Sequence, residues 1–236
     1  MFTSIRFLTQ QLDIDPDIAK FFVDRDVPKN NRYWKDRHLY VAIGTGFLFI
    51  PLVYDILFRL GVDKKALLDE AHIQRMERVL DSAGKVEFDA LAGGAHVENC
   101  RTVMGGSVLN PWLWTSLERY FREGPAEPFG HPIPPLNRAD TFLFSLCDLE
   151  MDETSTRAFL GHWYALIGAF LLMDDVEDWE EDRRLGEENA IRFLGEGPEA
   201  FARAMDMLRE HFRTLDDLNP RLSAHFDKNL QKLSKQ

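Results

Sequence analysis

The chain has 236 residues, enough for one domain with a full core, and 45% of them are hydrophobic, which excludes a disordered chain. Its formal net charge of −11 argues against nucleic acid as a partner, since neutralising phosphates requires a basic surface. The two cysteines lack CxxC spacing and the N-terminus lacks the apolar run of a signal peptide, so we expect a cytoplasmic protein without a disulfide framework.

The first long apolar stretch, residues 40–58, is about as long as a minimal membrane-spanning helix. However, Asp55 would be costly in lipid, and Pro51 and two glycines interrupt the run. We therefore expect no integral membrane segment, but a buried core helix within residues 36–60 that kinks near Pro51. Gly61 is suited to end this helix.

Cap residues mark the next two predicted helices. Asp63 precedes apolar residues at helical spacing that continue to about Ser82. The pair Asn110-Pro111 combines a cap with a first-turn proline, which predicts a helix through Phe121.

Residues 124–137 (GPAEPFGHPIPPLN) contain five prolines and two glycines and form the clearest predicted loop. We expect a single all-α domain over residues 1–236, with this loop dividing two helical halves. A long connection of this kind is often a lid or a partner contact, and its residues leave both roles open.

The second half of the chain is also predicted to be helical. Residues 138–149 favour a helix, and Asp152 is suited to begin a long one that reaches Gly186. Its middle, residues 159–173 (FLGHWYALIGAFLLM), is almost without charge, which indicates burial on all sides. Two further helices follow, an amphipathic one over residues 201–215 and a last one that begins near Pro220.

Two short stretches, residues 86–91 and 102–109, are compatible with either a strand or a helix. Elsewhere, apolar and polar residues do not alternate over a length that would predict a strand. The sequence therefore predicts an all-α helical bundle.

The chemically informative feature is the acidic end of the long helix, residues 174–182 (DDVEDWEED). Asp174, Asp178 and Asp182 are spaced i, i+4, i+8, so they follow one side of a helix and drift by only ~40° per step. Like charges at this spacing destabilise a helix, and a bound cation would remove that cost. Oxygen ligands without Cys or His favour Mg²⁺ or Mn²⁺, and Mg²⁺ commonly binds phosphate oxygens as well. The row therefore fits a diphosphate ligand with an apolar tail.

A simpler interpretation remains open. A buried helix that emerges into solvent becomes charged because it is hydrated, and Arg183 and Arg184 could pair with nearby acids on the surface.

The acidic segment resembles the second metal-binding motif of class I isoprenoid synthases, and the resemblance covers about residues 159–189. In the squalene/phytoene synthase branch this motif reads roughly N-x-x-x-D-x-x-E-D-x-x-x-G. Asp174 stands at the Asn position, and the matching positions are Asp178, Glu181, Asp182 and Gly186. In terpene cyclases the counterpart is N-D-x-x-S-x-x-x-E, whose positions fall on Asp174, Asp175, Asp178 and Asp182.

The resemblance implies an isoprenoid-synthase-like orthogonal bundle and a prenyl diphosphate substrate. The reaction would be metal-assisted ionisation of an allylic diphosphate, followed by cyclisation or condensation, as in lyases and transferases of this superfamily. The implied Mg²⁺ ligands are Asp174, Asp178 and Asp182. The implied substrate contacts are Asp175, Glu181, Arg183 and Arg184, together with the aromatic side chains of Trp163, Tyr164 and Phe170, which would shelter a carbocation.

The sequence also departs from the family. A first acidic motif, DDxxD or DxxxD, is expected more than a hundred residues upstream, where Asp36 and Asp55 stand unpaired. Asp148 and Asp152 have suitable spacing but lie too close in sequence. The alternative is a non-catalytic helical protein that binds a partner or lipid-like ligand, with a solvated acidic helix end.

Overall fold

The computed structural model describes residues 4–35, residue 40 and residues 49–233. All named regular elements in these ranges are helical, which confirms the all-α prediction. The α-helices are α1 Ile5–Gln11, α2 Pro16–Asp24, α3 Phe49–Arg59, α4 Lys64–Leu67, α5 Glu70–Asp89, α6 Gly93–Met104, α7 Pro111–Glu123, α8 Glu153–Glu177, α9 Trp179–Leu185, α10 Gly197–Asp216 and α11 Pro220–Leu233. Short 3₁₀ helices span Pro134–Asn137, Asp140–Leu146 and Ala190–Phe193.

Side-chain caps begin many of these helices. Asn110 accepts from the backbone N–H of Leu113 at the start of α7, and Asp152 accepts from Ser155 at the start of α8. Each cap satisfies a backbone donor that a helix start leaves without a partner. Both starts agree with the sequence prediction.

The region after Asp63 differs from the prediction. Asp63 caps only the short α4, and Asp69 caps a separate α5 that runs past Ser82 to Asp89. Two cap residues close together divide the segment, because each favours the non-helical conformation of a cap position. Residues 86–91, for which the sequence allowed either a strand or a helix, thus lie mostly in α5.

The proline-rich stretch 124–137 is a connection, as predicted, with one 3₁₀ turn at its end. Its Gly130 N–H donates to the hydroxyl of Tyr164 on α8, at 3.0 Å. The predicted helix over residues 138–149 is instead the 3₁₀ helix Asp140–Leu146, all of whose residues are buried. Local sequence does not distinguish the tighter helix.

Helix α8 lies at the centre of the bundle and packs against α3, α7, α10 and α11. Gly168 allows the close approach of α10, because an added Cβ would lie 2.6 Å from Nε2 of His211. In the described ranges, α8 is the one helix that is long and apolar enough to cross a bilayer, and 56% of its most apolar window is buried in the fold.

The predicted helix within residues 36–60 is described from Phe49 onward, and Phe49 to Leu57 are all buried. Residues 36–39 and 41–48 lie outside the described ranges. Pro51 therefore falls in the first described turn of α3, and the predicted kink stays a prediction. Gly61 ends the helix with a φ of 95°, as expected.

Two mid-helix glycines provide a test of packing. Gly84 on α5 lies against the 31–34 segment, and an added Cβ would be 2.6 Å from the backbone nitrogen of Tyr33. Gly161 on α8 has no atom within 4 Å of the same point. We expect Gly84→Ala to lower the free energy of unfolding by about 1–3 kcal/mol through overpacking. Gly161→Ala should raise it by about 0.5–1 kcal/mol, since alanine favours helix. Urea denaturation measures both, and equal effects would contradict this packing.

Candidate functional site

The long helix that carries the acidic row is interrupted at Asp178, so the expectation of one continuous helix to Gly186 was wrong. In a continuous helix the carbonyl of Asp175 would accept from the backbone N–H of Trp179. Here it accepts from Nδ2 of Asn189, 2.7 Å away. Gly186 ends α9 in the left-handed conformation, with a φ of 76°, as predicted.

The three aspartates of the row remain one turn apart despite this break. Backbone bonds of 2.9 Å join Asp178 N to Asp174 O and Asp182 N to Asp178 O. Partial desolvation, followed by the charge of Asp178, raises the pKa of Asp174, and the guanidinium of Arg138 opposes that shift. A cation at this position would relieve the repulsion between the carboxylates.

Asp175 is a buried structural carboxylate, 2% exposed. It accepts from the backbone N–H of Ala190 at 2.7 Å and from Nη2 of Arg138 at 3.1 Å. Burial raises its pKa, and these two partners oppose the rise. Its contacts place Asp175 behind the surface on which Asp174 lies.

The other predicted contacts of the acidic end lie at the surface. Asp182 accepts from Nδ2 of Asn189 at 2.9 Å, and Glu181 forms an exposed ion pair of 3.5 Å with Arg184. Arg183 and Arg184 are exposed on α9. Asp182 therefore already has a hydrogen-bond partner within the protein, whereas Asp174 and Asp178 are exposed to solvent.

A cavity of about 230 Å³ opens beside Asp174. Its charged rim combines Asp174 from α8, Glu87 from α5 and Arg138 from the segment before the 3₁₀ helix Asp140–Leu146. The remaining lining is mainly apolar and comprises Tyr33, Phe49, Leu80, Ala83, Ala139, Thr141, Phe142, Ile167, Phe170 and Leu171. The acidic row and an apolar cavity therefore share one residue, Asp174.

Two larger depressions are less suited to a small apolar ligand. One, of about 710 Å³, lies between α2 and α5, and another, of about 820 Å³, is lined largely by residues 26–35. Both are open to solvent and lined by many charged side chains. Ligand sites are usually concave and mostly apolar with few polar groups, which favours the smaller cavity.

Arg138 is held in a fixed orientation at the cavity rim. Its Nη2 donates to Asp175 and its Nε donates to the carbonyl of Pro135 at 3.1 Å. No hydrogen bond to a described residue occupies Nη1. The guanidinium therefore has a fixed position and a donor that remains available for an anionic group.

Of the predicted aromatic residues, only Phe170 lines the cavity, and its ring meets Phe226 edge-on at 5.2 Å. Trp163 lies one layer behind, with its ring stacked on that of Phe142 at 5.6 Å. Tyr164 also lies outside the lining, where its hydroxyl bonds to Asp140.

A buried carboxylate, Asp140, fixes this second layer. Its Oδ1 accepts from Nε1 of Trp163 at 3.0 Å, and its Oδ2 accepts from the hydroxyls of Tyr120 and Tyr164 at 3.0 and 3.2 Å. Burial raises the pKa of Asp140 to about 6, although the three donors oppose the shift. Through Tyr164, the same network reaches the proline-rich loop at Gly130.

A second buried polar group lies outside the lining of this cavity. Nε2 of His72 lies 2.7 Å from the hydroxyl of Tyr54, and its Nδ1 lies 2.8 Å from Asp148, which also accepts from Arg75. Tyr54 is fully buried and His72 is 2% exposed. Hydrogen bonds satisfy this group internally, as expected of a structural network.

Sequence reasoning did not identify Arg138 or Glu87 as residues of the rim. Arg138 precedes Asp175 by 37 positions, as their hydrogen bond records, and no local motif connects the two. In the described ranges, no three His, Cys, Asp or Glu side chains are grouped closely enough to hold a metal by themselves. Comparison of the chain with family models, curated proteins and solved structures finds no match.

The neighbouring residues Asp174 and Asp175 allow the exposed carboxylate to be tested separately from the buried structural one. Asp175→Ala leaves the N–H of Ala190 and one arm of Arg138 without an acceptor, so we expect a loss of about 2 kcal/mol in the free energy of unfolding. Asp174→Ala should change it by less than about 0.5 kcal/mol, because it removes an exposed, repelled charge. Chemical denaturation of the two variants measures the difference. A larger loss for Asp174→Ala would contradict the assignment.

Asp140 should leave a signature in the pH dependence of stability. Its pKa is about 6 in the folded state, well above the ordinary value of an aspartate, so the folded state binds the proton more tightly than the unfolded state does. Stability from this group is therefore greatest at low pH and falls by roughly 2 kcal/mol as the pH rises from 4 to 7. The Asp140→Asn variant should lack this pH-dependent contribution to the free energy of unfolding. The free energies of unfolding of the wild type and of Asp140→Asn should therefore diverge between pH 4 and 7. Parallel curves would contradict the raised pKa of Asp140.

Proposed function

We propose that this protein binds a prenyl diphosphate together with Mg²⁺ and belongs to the class I isoprenoid-synthase type, with an isoprenoid-synthase-like bundle. The observation that carries the proposal is that Asp174 belongs both to the acidic row and to the rim of an apolar cavity. Such a site suits a ligand with a charged head and an apolar tail, because each part finds a matching environment.

The donor set fits Mg²⁺. This ion commonly binds through one or two carboxylates and completes its octahedron with water and substrate phosphate oxygens, so a ready-made group of three protein ligands is not required. Asp174 and Asp178 are the exposed carboxylates of the row and would take this role. Asp182 would join as a third ligand while it keeps its hydrogen bond to Asn189.

The head group would also meet Arg138. Its fixed guanidinium presents a donor at the rim, and a planar guanidinium is well suited to phosphate oxygens. Arg183 and Arg184, which the resemblance implies as diphosphate contacts, lie on α9 outside the cavity lining. We therefore propose Arg138 as the principal phosphate contact of the protein.

The apolar tail would occupy the cavity between α5, α8 and the 3₁₀ helix Asp140–Leu146. The rings of Phe49, Phe142 and Phe170 form part of its wall. Aromatic faces attract positive charge, which suits a site where an allylic diphosphate ionises. Bound Mg²⁺ would neutralise the departing diphosphate and so favour cleavage of the carbon–oxygen bond.

A non-catalytic binding protein is the second candidate. It is favoured by the structural use of Asp175 and Asp182, whose carboxylates accept hydrogen bonds from Ala190 and Asn189. In addition, Glu87 is the single carboxylate that faces Asp174 from α5 among the described residues of the rim. Binding without release of diphosphate from an allylic substrate would support this candidate.

Calorimetric titration with geranyl thiolodiphosphate, a slowly hydrolysed analogue, tests the proposal with and without Mg²⁺. We expect binding that Mg²⁺ strengthens at least tenfold. Asp174→Ala and Arg138→Gln should each weaken it at least tenfold through loss of a charge-assisted contact.

Arg184→Gln is the matched control, since Arg184 is an exposed arginine on α9, and it should leave the affinity unchanged. Thermal melts of all variants verify folding. Absence of binding to the wild type, or equal affinity in Asp174→Ala with Mg²⁺ present, would overturn the proposal.

A further inference from the structure

The proline-rich connection ends, just before Arg138, in a closed turn over residues 131–137. The side-chain amide of Asn137 closes this turn with two hydrogen bonds to the backbone of His131. Its Oδ1 accepts from the N–H of His131 at 2.6 Å, and its Nδ2 donates to the carbonyl of the same residue at 2.9 Å. Because an amide side chain carries both a donor and an acceptor, one residue fixes the two ends of the turn.

The interior of the turn is also hydrogen-bonded. Nδ1 of His131 accepts from the N–H of Ile133 at 3.0 Å, and the carbonyl of Ile133 accepts from the N–H of Leu136 at 3.1 Å. Burial lowers the pKa of His131, which favours the neutral imidazole that this acceptor role requires. Ile133, Pro135 and Leu136 are buried, so the turn is packed against the bundle as well as closed on itself.

The closed turn presents the carbonyl of Pro135 to Arg138. This carbonyl accepts from the backbone N–H of Arg138 at 3.4 Å and from its Nε at 3.1 Å. The guanidinium has a second anchor in Asp175, which accepts from Nη2 at 3.1 Å. With Nε released, the guanidinium would be free to pivot about Asp175, since the arginine side chain is long and has many rotamers. Both anchors are therefore needed to fix the direction of Nη1 at the rim.

The position of the Pro135 carbonyl depends in turn on Asn137. Pro135 lies between the two hydrogen-bonded ends of the turn, and loss of the Asn137 amide would leave two backbone groups of His131 without these partners. The described lining of the cavity does not include Asn137. An effect of Asn137 on a ligand there would therefore pass through Arg138.

We propose that Asn137 is a positioning residue for Arg138. By closing the turn it holds the Pro135 carbonyl against Nε, and so directs Nη1 toward the phosphate head of the ligand. The proposal rests on the proposed function, since it concerns the group that binds this head. Asn137 controls the direction of the positive charge, whereas Arg138 supplies the charge itself.

A double-mutant cycle tests this role by calorimetric titration with geranyl thiolodiphosphate and Mg²⁺. Asn137→Ala should weaken binding about fivefold, because Arg138 is then no longer preorganised. In the Arg138→Gln background the same substitution should change the affinity less than about twofold, since residues that act through one contact are not additive. An equal loss in both backgrounds would overturn the proposal.

Asn219→Ala is the matched control. Asn219 also uses both ends of its amide on backbone groups, because it donates to the carbonyl of Leu12 at 2.8 Å and accepts from the N–H of Leu222 at 3.0 Å. Both alanine variants should lower the melting temperature, but only Asn137→Ala should lose affinity. Equal losses of affinity would indicate a general effect on the fold and contradict the assignment.

His131→Ala guards against an Asn137 variant that does not fold. It keeps the backbone groups that Asn137 binds and removes only the acceptor of the Ile133 N–H. Binding should therefore weaken in the same direction by a smaller factor, about twofold. Unchanged affinity would contradict the control of Arg138 by this turn.

The Nε–H group of Arg138 provides a readout that requires no ligand. Its NMR signal, assigned by its absence in Arg138→Gln, should exchange with water at least tenfold faster in Asn137→Ala than in the wild type, because the bond to Pro135 protects it. Asn219→Ala should keep the wild-type rate. The two proposals fail differently: absence of ligand binding to the wild type overturns the proposed function, whereas equal exchange in Asn137→Ala and the wild type overturns only the role of Asn137.

Discussion

The candidate site depends on one buried arrangement, in which Asp175 and Asn189 join α8 to the segment that follows α9. The carboxylate of Asp175 holds Ala190 and orients Arg138, and the amide of Asn189 binds both the Asp175 carbonyl and the Asp182 carboxylate. A buried carboxylate is costly unless donors surround it, so this geometry is tightly specified. The helix break, the orientation of the arginine and the exposure of Asp174 all follow from it.

This arrangement gives adjacent residues opposite roles. Successive side chains on a helix point about 100° apart, so Asp174 faces the rim while Asp175 faces the interior. Asp175 positions the positive group of the site, and Asp174 supplies a negative one. Opposite charges at one rim are suited to a diphosphate with its cation, since each component meets a complementary partner.

The elements that sequence predicted correctly are those that local chemistry determines. The caps Asn110 and Asp152 and the end at Gly186 each rest on residues within a few positions of one another. The apolar run of residues 159–173 was expected to be buried on all sides, but Gly161 is exposed, so that expectation was wrong in part. The separate α5, the 3₁₀ helix Asp140–Leu146 and the break at Asp178 depend on competition between caps, on burial or on a distant amide. Arg138 could not be identified for the same reason, since its role is defined by Asp175.

Residues 186–189 connect α9 to the buried part of this arrangement, and Gly186 to Glu188 are exposed. Exposed connections usually tolerate insertions and deletions. Here Asn189 must reach back to Asp175 and Asp182, so the length of the connection is fixed by the distance it spans. Related sequences should therefore vary freely in the side chains of this turn but keep its number of residues, and length conservation would mark the site better than residue identity.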